Sequence, residues 1–336
     1  MDDHNFYEEQ GFPFTGRKKQ KLVEFLAENG LTYDEHIEST VNLIDEDGKI
    51  AATGSLHDNV LKCIAVSENY QGYGLSTRIV TQVCNLAVER GKTHLFLFTK
   101  PENKQMFLDM GFYPILSTQD VLLAENSKTG IKSYVAKLKR REGNTIGAIV
   151  VNCNPFTYGH RYLIETAAKQ CDVLHLFVLS EDKSYFSADV RYELVRQGVA
   201  DLDNVLLHRT SDYLISSAVF PTYFIKEKFK ADDANCELDI RIFCEYFAKE
   251  LGITRRFVGT EPECRVTSAY NAKLKELLPQ YGITLTEIER KTFGELPISA
   301  STVRRLLKEG DLAAVEKLVP PTTFAYLKAH SAEYRV

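Results

Sequence analysis

Several features are missing from this sequence, and each absence removes a class of function. There is no basic surplus: 41 Lys and Arg stand against 46 Asp and Glu, a net charge of -5. A phosphate backbone is gripped by a large positive excess, so no nucleic-acid partner is expected. No apolar run approaches the roughly 20 residues of a membrane helix. The opening residues, MDDHNFYEEQ, are acidic and lack the apolar core of a secretory leader, so neither a membrane nor export is expected. No C-x-x-C occurs among the seven cysteines. That odd, unpatterned set reads as reduced thiols in a cytoplasmic protein, and no metal site is expected. Internal repeats and low-complexity tracts are also absent.

What is present is enough apolar residue, 44% hydrophobic against 26% charged, to bury real cores. At 336 residues the chain exceeds one ordinary domain. The charged stretch Lys137-Leu-Lys-Arg-Arg-Glu-Gly-Asn144 marks a change of pattern. It suggests domains at 1–140 and 141–336.

In the first half, short strands are expected around two helices. A hairpin over Val41–Ile44 and Ile50–Leu56 turns at Gly48, and Val60–Val66 follows as a strand. A helix from Leu75 to Arg90 ends at Gly91, a residue suited to a left-handed cap. In the second half, Ile146–Val151 is apolar without alternation, as a central parallel strand must be. Helices and strands then alternate: helix Arg161–Gln170, strand Val173–Leu179, helix Val190–Ala200, strand Val205–His208, a long helical stretch Thr222–Leu251, and strands at Arg256–Val258 and Thr284–Glu287. The pattern is that of an α/β parallel sheet with right-handed crossovers. Ligands of such sheets lie at the carboxyl ends of the strands, where strand order reverses.

Directly after Ile146–Val151 stands Asn152-Cys-Asn-Pro-Phe-Thr-Tyr-Gly-His160. A helix start offers unpaired N–H groups and partial positive charge, which suit phosphate. Asn154, Pro155, Phe156, Thr157, Gly159 and His160 therefore form a candidate phosphate-binding loop, with Gly159 admitting a close approach of backbone. Far downstream, Pro297-Ile-Ser-Ala-Ser-Thr-Val-Arg-Arg305 places Ser299, Ser301 and Thr302 at another helix start. Arg304 adds a fork of donors matched to phosphate. Singly, each motif reads as well as a bland feature, a chance tetrapeptide for the first or a helix cap for the second, as it does as a phosphate site. Their order, and their placement at the two ends of one sheet, give the pair its weight. Lys183 and Arg191 could reach a triphosphate or a substrate carboxylate, though solvated surface charge is an equal reading. Gly259, ending a strand, could line the nucleotide pocket or simply turn the chain.

These two motifs, Thr157-Tyr-Gly-His160 and Ile298-Ser-Ala-Ser-Thr-Val-Arg304, resemble the (H/T)-x-G-H and I-S-x-T-x-x-R signatures of the nucleotidylyltransferase superfamily. The resemblance implies a Rossmann-like ATP-binding domain. In it His160 would stabilise charge on the α-phosphoryl group, and Ser299, Ser301, Thr302 and Arg304 would hold the outer phosphates. It also implies magnesium as the companion of ATP. In the first half, Gln71-Gly-Tyr-Gly-Leu-Ser76 and Asn103 to Gly111-Phe112 resemble the GNAT acetyltransferases, an α+β fold. Here Gln71, Gly72, Gly74 and Asn103 would bind a coenzyme-A-like arm, although Ser76 puts a side chain where that family has Gly or Ala.

The two halves together resemble the citrate lyase ligase family. That resemblance implies ATP-dependent acetylation, through acetyl-adenylate, of the dephospho-coenzyme-A-derived thiol on the acyl carrier subunit of citrate lyase, with acetate as the acyl source. A cofactor-type adenylyltransferase with an accessory acetyltransferase half is the alternative.

Overall fold

The computed structural model describes residues 5–180, 184–214, 223–225, 228–260, 265–293 and 296–334. One compact unit comprises Met1–Ile131 with Ser217–Leu238, the other Lys132–Ser216 with Asp239–Val336.

The first unit is built on β1 (Tyr7–Gly11), α1 (Gly16–Glu28), β2 (Ser39–Ile44), β3 (Ile50–His57), β4 (Val60–Val66), α2 (Leu75–Glu89), β5 (Phe96–Thr99), α3 (Lys104–Asp109), β6 (Tyr113–Ser117) and β7 (Leu122–Glu125). Its seven strands form one sheet in the order β1-β2-β3-β4-β5-β7-β6. Every neighbouring pair is antiparallel except β4 and β5, which run parallel and pair only at Val60–Leu61 against Phe96–Leu97. Beyond those rungs the two strands part. Helix α2 lies on the sheet through Leu75, Ile79, Val80, Val83, Leu86 and Ala87. Side chains of that size each contribute roughly 1.5–3 kcal/mol when fully buried. Gly54 on β3 permits the approach, since a Cβ there would stand 2.9 Å from Val83 Cγ2.

A short helix, α4 (Gly130–Ala136), leads on towards the second unit, which opens with β8 (Ile146–Val151). There follow in the chain α5 (Tyr158–Ala168), β9 (Val173–Val178), α6 (Ala188–Gly198), β10 (Val205–Arg209), α7 (Lys228–Ile242, which belongs to the first unit as far as Leu238), β11 (Arg255–Gly259), α8 (Arg265–Leu277) and β12 (Thr284–Ile288). After a short β13 (Thr292–Phe293) and β14 (Leu296–Pro297) come α9 (Ala300–Glu309), α10 (Leu312–Glu316) and α11 (Pro321–Ala329).

The five strands β10-β9-β8-β11-β12 are all parallel. Chain order runs outward from β8 in one direction and resumes in the other at β11, so the reversal lies between β8 and β11. One face of the sheet is covered by α5 and α6, where Ile164, Ala167, Leu194 and Val195 meet Ile149, Leu174, Leu176 and Phe257. On the other face Phe177 meets Phe243 and Phe247 edge-on, both from the π-helical turn Phe243–Ala248. The last three helices form a separate cluster around Val303, Leu307, Val315 and Leu327, with Ile298 and Phe186 packed into it. Among the described residues no helix is long and apolar enough to cross a membrane.

Candidate active site

The loop after β8 leaves the sheet at the point of strand reversal, and α5 begins with Tyr158, three residues earlier than the pattern of apolar residues suggested. The earlier start puts His160 in the first turn. Thr157 is the N-cap, and its Oγ1 accepts the His160 N–H at 3.4 Å while His160 Nδ1 accepts the Thr157 N–H at 3.1 Å. This is a capping box with His in the place usually held by Glu or Gln. Because Nδ1 is an acceptor here, the neutral ring carries its proton on Nε2. Burial, aided by the nearby Arg290 cation, pushes the His160 pKa down to about 4. At neutral pH the ring is therefore an uncharged donor of fixed orientation.

The second motif begins α9 in the same way. Ser299 is its N-cap, accepting the Thr302 N–H at 3.1 Å, and its Oγ lies 2.9 Å from Ser301 Oγ and 2.8 Å from Thr302 Oγ1. Three hydroxyls thus share one helix start. Whether the two motifs form one site is decided by two contacts. Gly159 lies so close to the other segment that a Cβ on it would stand 2.9 Å from the Ile298 carbonyl oxygen. The Arg304 guanidinium donates to the carbonyl of Asn154, and its partial burial lowers its pKa. The two helix starts are packed against each other beside the switch point.

The remaining expected residues fall into distinct places. Asn154 Oδ1 accepts the Phe186 N–H at 3.0 Å, which ties the loop after β9 to the loop after β8. Pro155 follows a cis peptide and is buried. Phe156 has no exposed surface and fills the space above Gly198, so its side chain belongs to the core. Gly259 ends β11 with open space where a side chain would stand.

Arg191, read as a possible triphosphate or acetate contact, is instead 0% exposed. It donates to the carbonyls of Phe186, Asn152 and Leu179 at 3.1, 3.0 and 2.8 Å and to Asn152 Oδ1 at 2.6 Å. It clamps the loops behind the site and does not face a ligand. Lys183 lies outside the described residues. Sequence reasoning overlooked Arg290 and Lys291. Arg290 Nε donates to the Thr260 carbonyl at 2.8 Å, and Lys291 Nζ lies 5.8 Å from the ring centres of Tyr158 and Tyr162. Two adjacent cations one residue beyond β12, at the carboxyl edge of the sheet, were the available signal.

In the first unit, Gln71, Gly72, Gly74 and Asn103 line a single cavity of about 580 Å³. Gly74 is the N-cap of α2 at φ 73° and Gly72 sits at φ 85°, backbone that a side chain would strain. Nothing lies within 4 Å of a Cβ placed on either, so the glycines leave the helix start open. Asn103 donates to Thr99 Oγ1 at 2.9 Å. From β4 the cavity takes Ile64, Ala65 and Val66, and from β5 Phe98 and Thr99, where the two strands part.

A [citrate [pro-3S]-lyase] ligase of Escherichia coli (strain K12) is 46% identical over 320 residues, 93% of this chain and 91% of that one. The chain belongs to the citrate lyase ligase family. Proteins of the same name from Haemophilus influenzae and Klebsiella pneumoniae are each 43% identical, covering 94% and 92% of this chain and 96% and 92% of their own lengths. The citrate lyase ligase C-terminal domain matches residues 146–327, which hold the parallel sheet and both helix-start motifs. The acetyltransferase (GNAT) family matches residues 3–113, which hold the parted strands and the glycine loop. The fold is therefore a GNAT-like α+β domain followed by a Rossmann-like domain built on a five-stranded parallel sheet.

Proposed function

We propose that the protein joins acetate to the thiol of the prosthetic group on the citrate lyase acyl carrier subunit at the expense of ATP. In the first step an acetate oxygen bonds to the α-phosphorus of ATP. The bond from that phosphorus to the bridging oxygen breaks, and pyrophosphate leaves. In the second step the carrier sulfur bonds to the acyl carbon, the bond to AMP oxygen breaks, and the thiol proton passes to water.

The chemistry asks little of the protein beyond placement and charge. Acetate is ionised near neutral pH and needs no base. In-line attack at phosphorus is governed by positioning and by neutralisation of the phosphate oxygens. His160 Nε2–H donates to the α-phosphoryl oxygen, and the Ser299, Ser301 and Thr302 hydroxyls with Arg304 hold the outer phosphates. Magnesium binds through phosphate oxygens and water more often than through a protein cage. The hydroxyl-lined helix start suits a metal-bearing triphosphate, and the ion would supply charge neutralisation there. The carrier thiol, with a free pKa of about 8.5, provides some thiolate at neutral pH. The open helix start at Gly72 and Gly74 in the first unit suits the pyrophosphate of the carrier arm.

One observation carries the reading: Gly159 packed on the Ile298 carbonyl, with Arg304 bonded to Asn154, makes one cradle of two motifs. The test is ATP–pyrophosphate exchange with acetate, propionate or nicotinate mononucleotide offered in turn. Exchange dependent on acetate and lost in His160→Ala and Arg304→Ala is the expected result. Exchange supported by nicotinate mononucleotide alone would replace this proposal with a cofactor adenylyltransferase.

A further inference from the structure

The first-unit cavity has a wall that the motifs do not account for. Tyr223 and Phe224 line it, although in sequence they follow the β10 strand of the other unit. Tyr223 is buried and anchored at both ends. Its carbonyl accepts the Thr32 N–H at 2.8 Å, and its hydroxyl donates to the Phe98 carbonyl at 2.9 Å. Phe98 is the first residue of β5 beyond the rungs that join it to β4. The hydroxyl therefore reaches the main chain where the strands begin to part. Burial pushes the Tyr223 pKa well up, so the group remains a neutral donor.

The cavity thus has two unlike ends. At one, the glycine loop and the start of α2 offer N–H groups suited to a diphosphate. At the other, β4 and β5 share no rung beyond Leu61 and Leu97, and the Tyr223 hydroxyl is bonded to Phe98 there. We infer that Tyr223 is a stop at this inner end that selects a free thiol over its acetyl thioester. The inference rests on the reading of this cavity as the holder of the carrier arm. Acetylation lengthens the arm by a carbonyl and a methyl group. A tyrosine held at both backbone and hydroxyl cannot swing aside without losing those bonds. An acetylated arm must back out towards the mouth and give up part of its grip at the glycine loop. The cavity then retains the substrate arm and releases the product arm.

The test is calorimetric binding of dephospho-coenzyme A and of S-acetyl dephospho-coenzyme A to the full chain. Overpacking by a small group weakens a fit by an amount that converts to about tenfold in affinity, and the unsubstituted protein is expected to prefer the thiol by that factor. Tyr223→Ala should bring the ratio close to one by strengthening thioester binding. Tyr223→Leu, which keeps an apolar side chain in place but shortens it, should give an intermediate ratio. Equal affinity of the unsubstituted protein for both ligands would overturn the stop and leave the arm-holding reading standing. Failure to bind either ligand would overturn both. A ratio unchanged in folded Tyr223→Ala or Tyr223→Leu would place the selection elsewhere and overturn the role of Tyr223.

Discussion

Gly159→Ala offers a test in which two effects of opposite sign compete. Gly159 occupies the first turn of α5 without a positive φ, so alanine fits its backbone. On helix propensity alone the change should stabilise by about 0.8–1 kcal/mol. Against that, the new Cβ meets the Ile298 carbonyl oxygen at 2.9 Å, and the obstacle is main chain, with no rotamer to change. Strain from overpacking costs roughly 1–3 kcal/mol. The sum is a net loss of about 1 kcal/mol, a fall of roughly 2–4 °C in melting temperature for a unit of this size. Activity should suffer more. The helix starts must separate by a few tenths of an ångström, and misplacement by 1 Å can cost on the order of a hundredfold. A fall of about tenfold in acetate-dependent ATP–pyrophosphate exchange is therefore expected. Differential scanning calorimetry and the exchange assay read the two effects separately. A variant that melts higher than the parent and exchanges at the parental rate would show that the motifs do not rely on this contact, and the single-cradle argument would fail.

Other perturbations separate the parts of the site. Thr157→Val removes the cap oxygen, which should cost about 1 kcal/mol of stability in a denaturant melt and lower exchange by freeing the His160 ring. Because the His160 pKa is pushed down to about 4, its Nε2 proton is present throughout pH 5–8. The pH profile of exchange should therefore contain no limb near 6.5 that disappears in His160→Asn. Arg191→Met leaves four oxygens without their donor and a buried cavity in place of the guanidinium, and should cost on the order of 3–5 kcal/mol in calorimetry, while the KM for acetate of the folded fraction stays unchanged. His175 and His208, paired at 2.8 Å between β9 and β10, have pKa values pushed by burial to about 4 and about 3. The unfolded chain takes up protons below pH 6.5 and the folded pair does not. Stability should therefore fall as pH drops from 6.5 towards 4, by a few kcal/mol in total, and the double variant His175→Phe/His208→Phe should flatten that slope in melts across the range.

The parallel sheet was legible because its strands are apolar in unbroken runs. Ile146–Val151 was delimited to the residue, since a strand covered on both faces has no polar alternation to blur its ends. Strands β1, β6 and β7 were not foreseen. They are short and lie at or near the ends of the first sheet, where pairing partners rather than composition define a strand. Helix α5 was expected from Arg161 because the usual capping signal has Glu or Gln at its third position, and His160 takes that place here. A helix was expected from Thr222, yet α7 begins at Lys228, and Tyr223 instead bonds to Thr32 and Phe98. No local pattern announces such a contact, because its partners are far away in sequence.

The candidate site divides along the same line. Residues at the two helix starts, such as His160 and Ser299, were readable because helix starts follow local rules of capping and charge. The residues that assemble those starts were not. Arg191 looks in sequence like any cation on a helix end, and only its full burial and its bonds to three carbonyls reveal a clamp. Gly159 looks like a ligand-approach glycine, yet what approaches it in the fold is the Ile298 carbonyl of the second motif. Arg304 stands on one helix start and joins it to the other, since one nitrogen of its guanidinium is bonded to Asn154 on the first motif. Replacing Arg304 by lysine would keep the charge and remove the fork, so one cation could not serve the phosphate and the loop together. If Arg304→Lys exchanged ATP at the parental rate, charge alone would suffice and the joining of the two motifs through this side chain would be incidental.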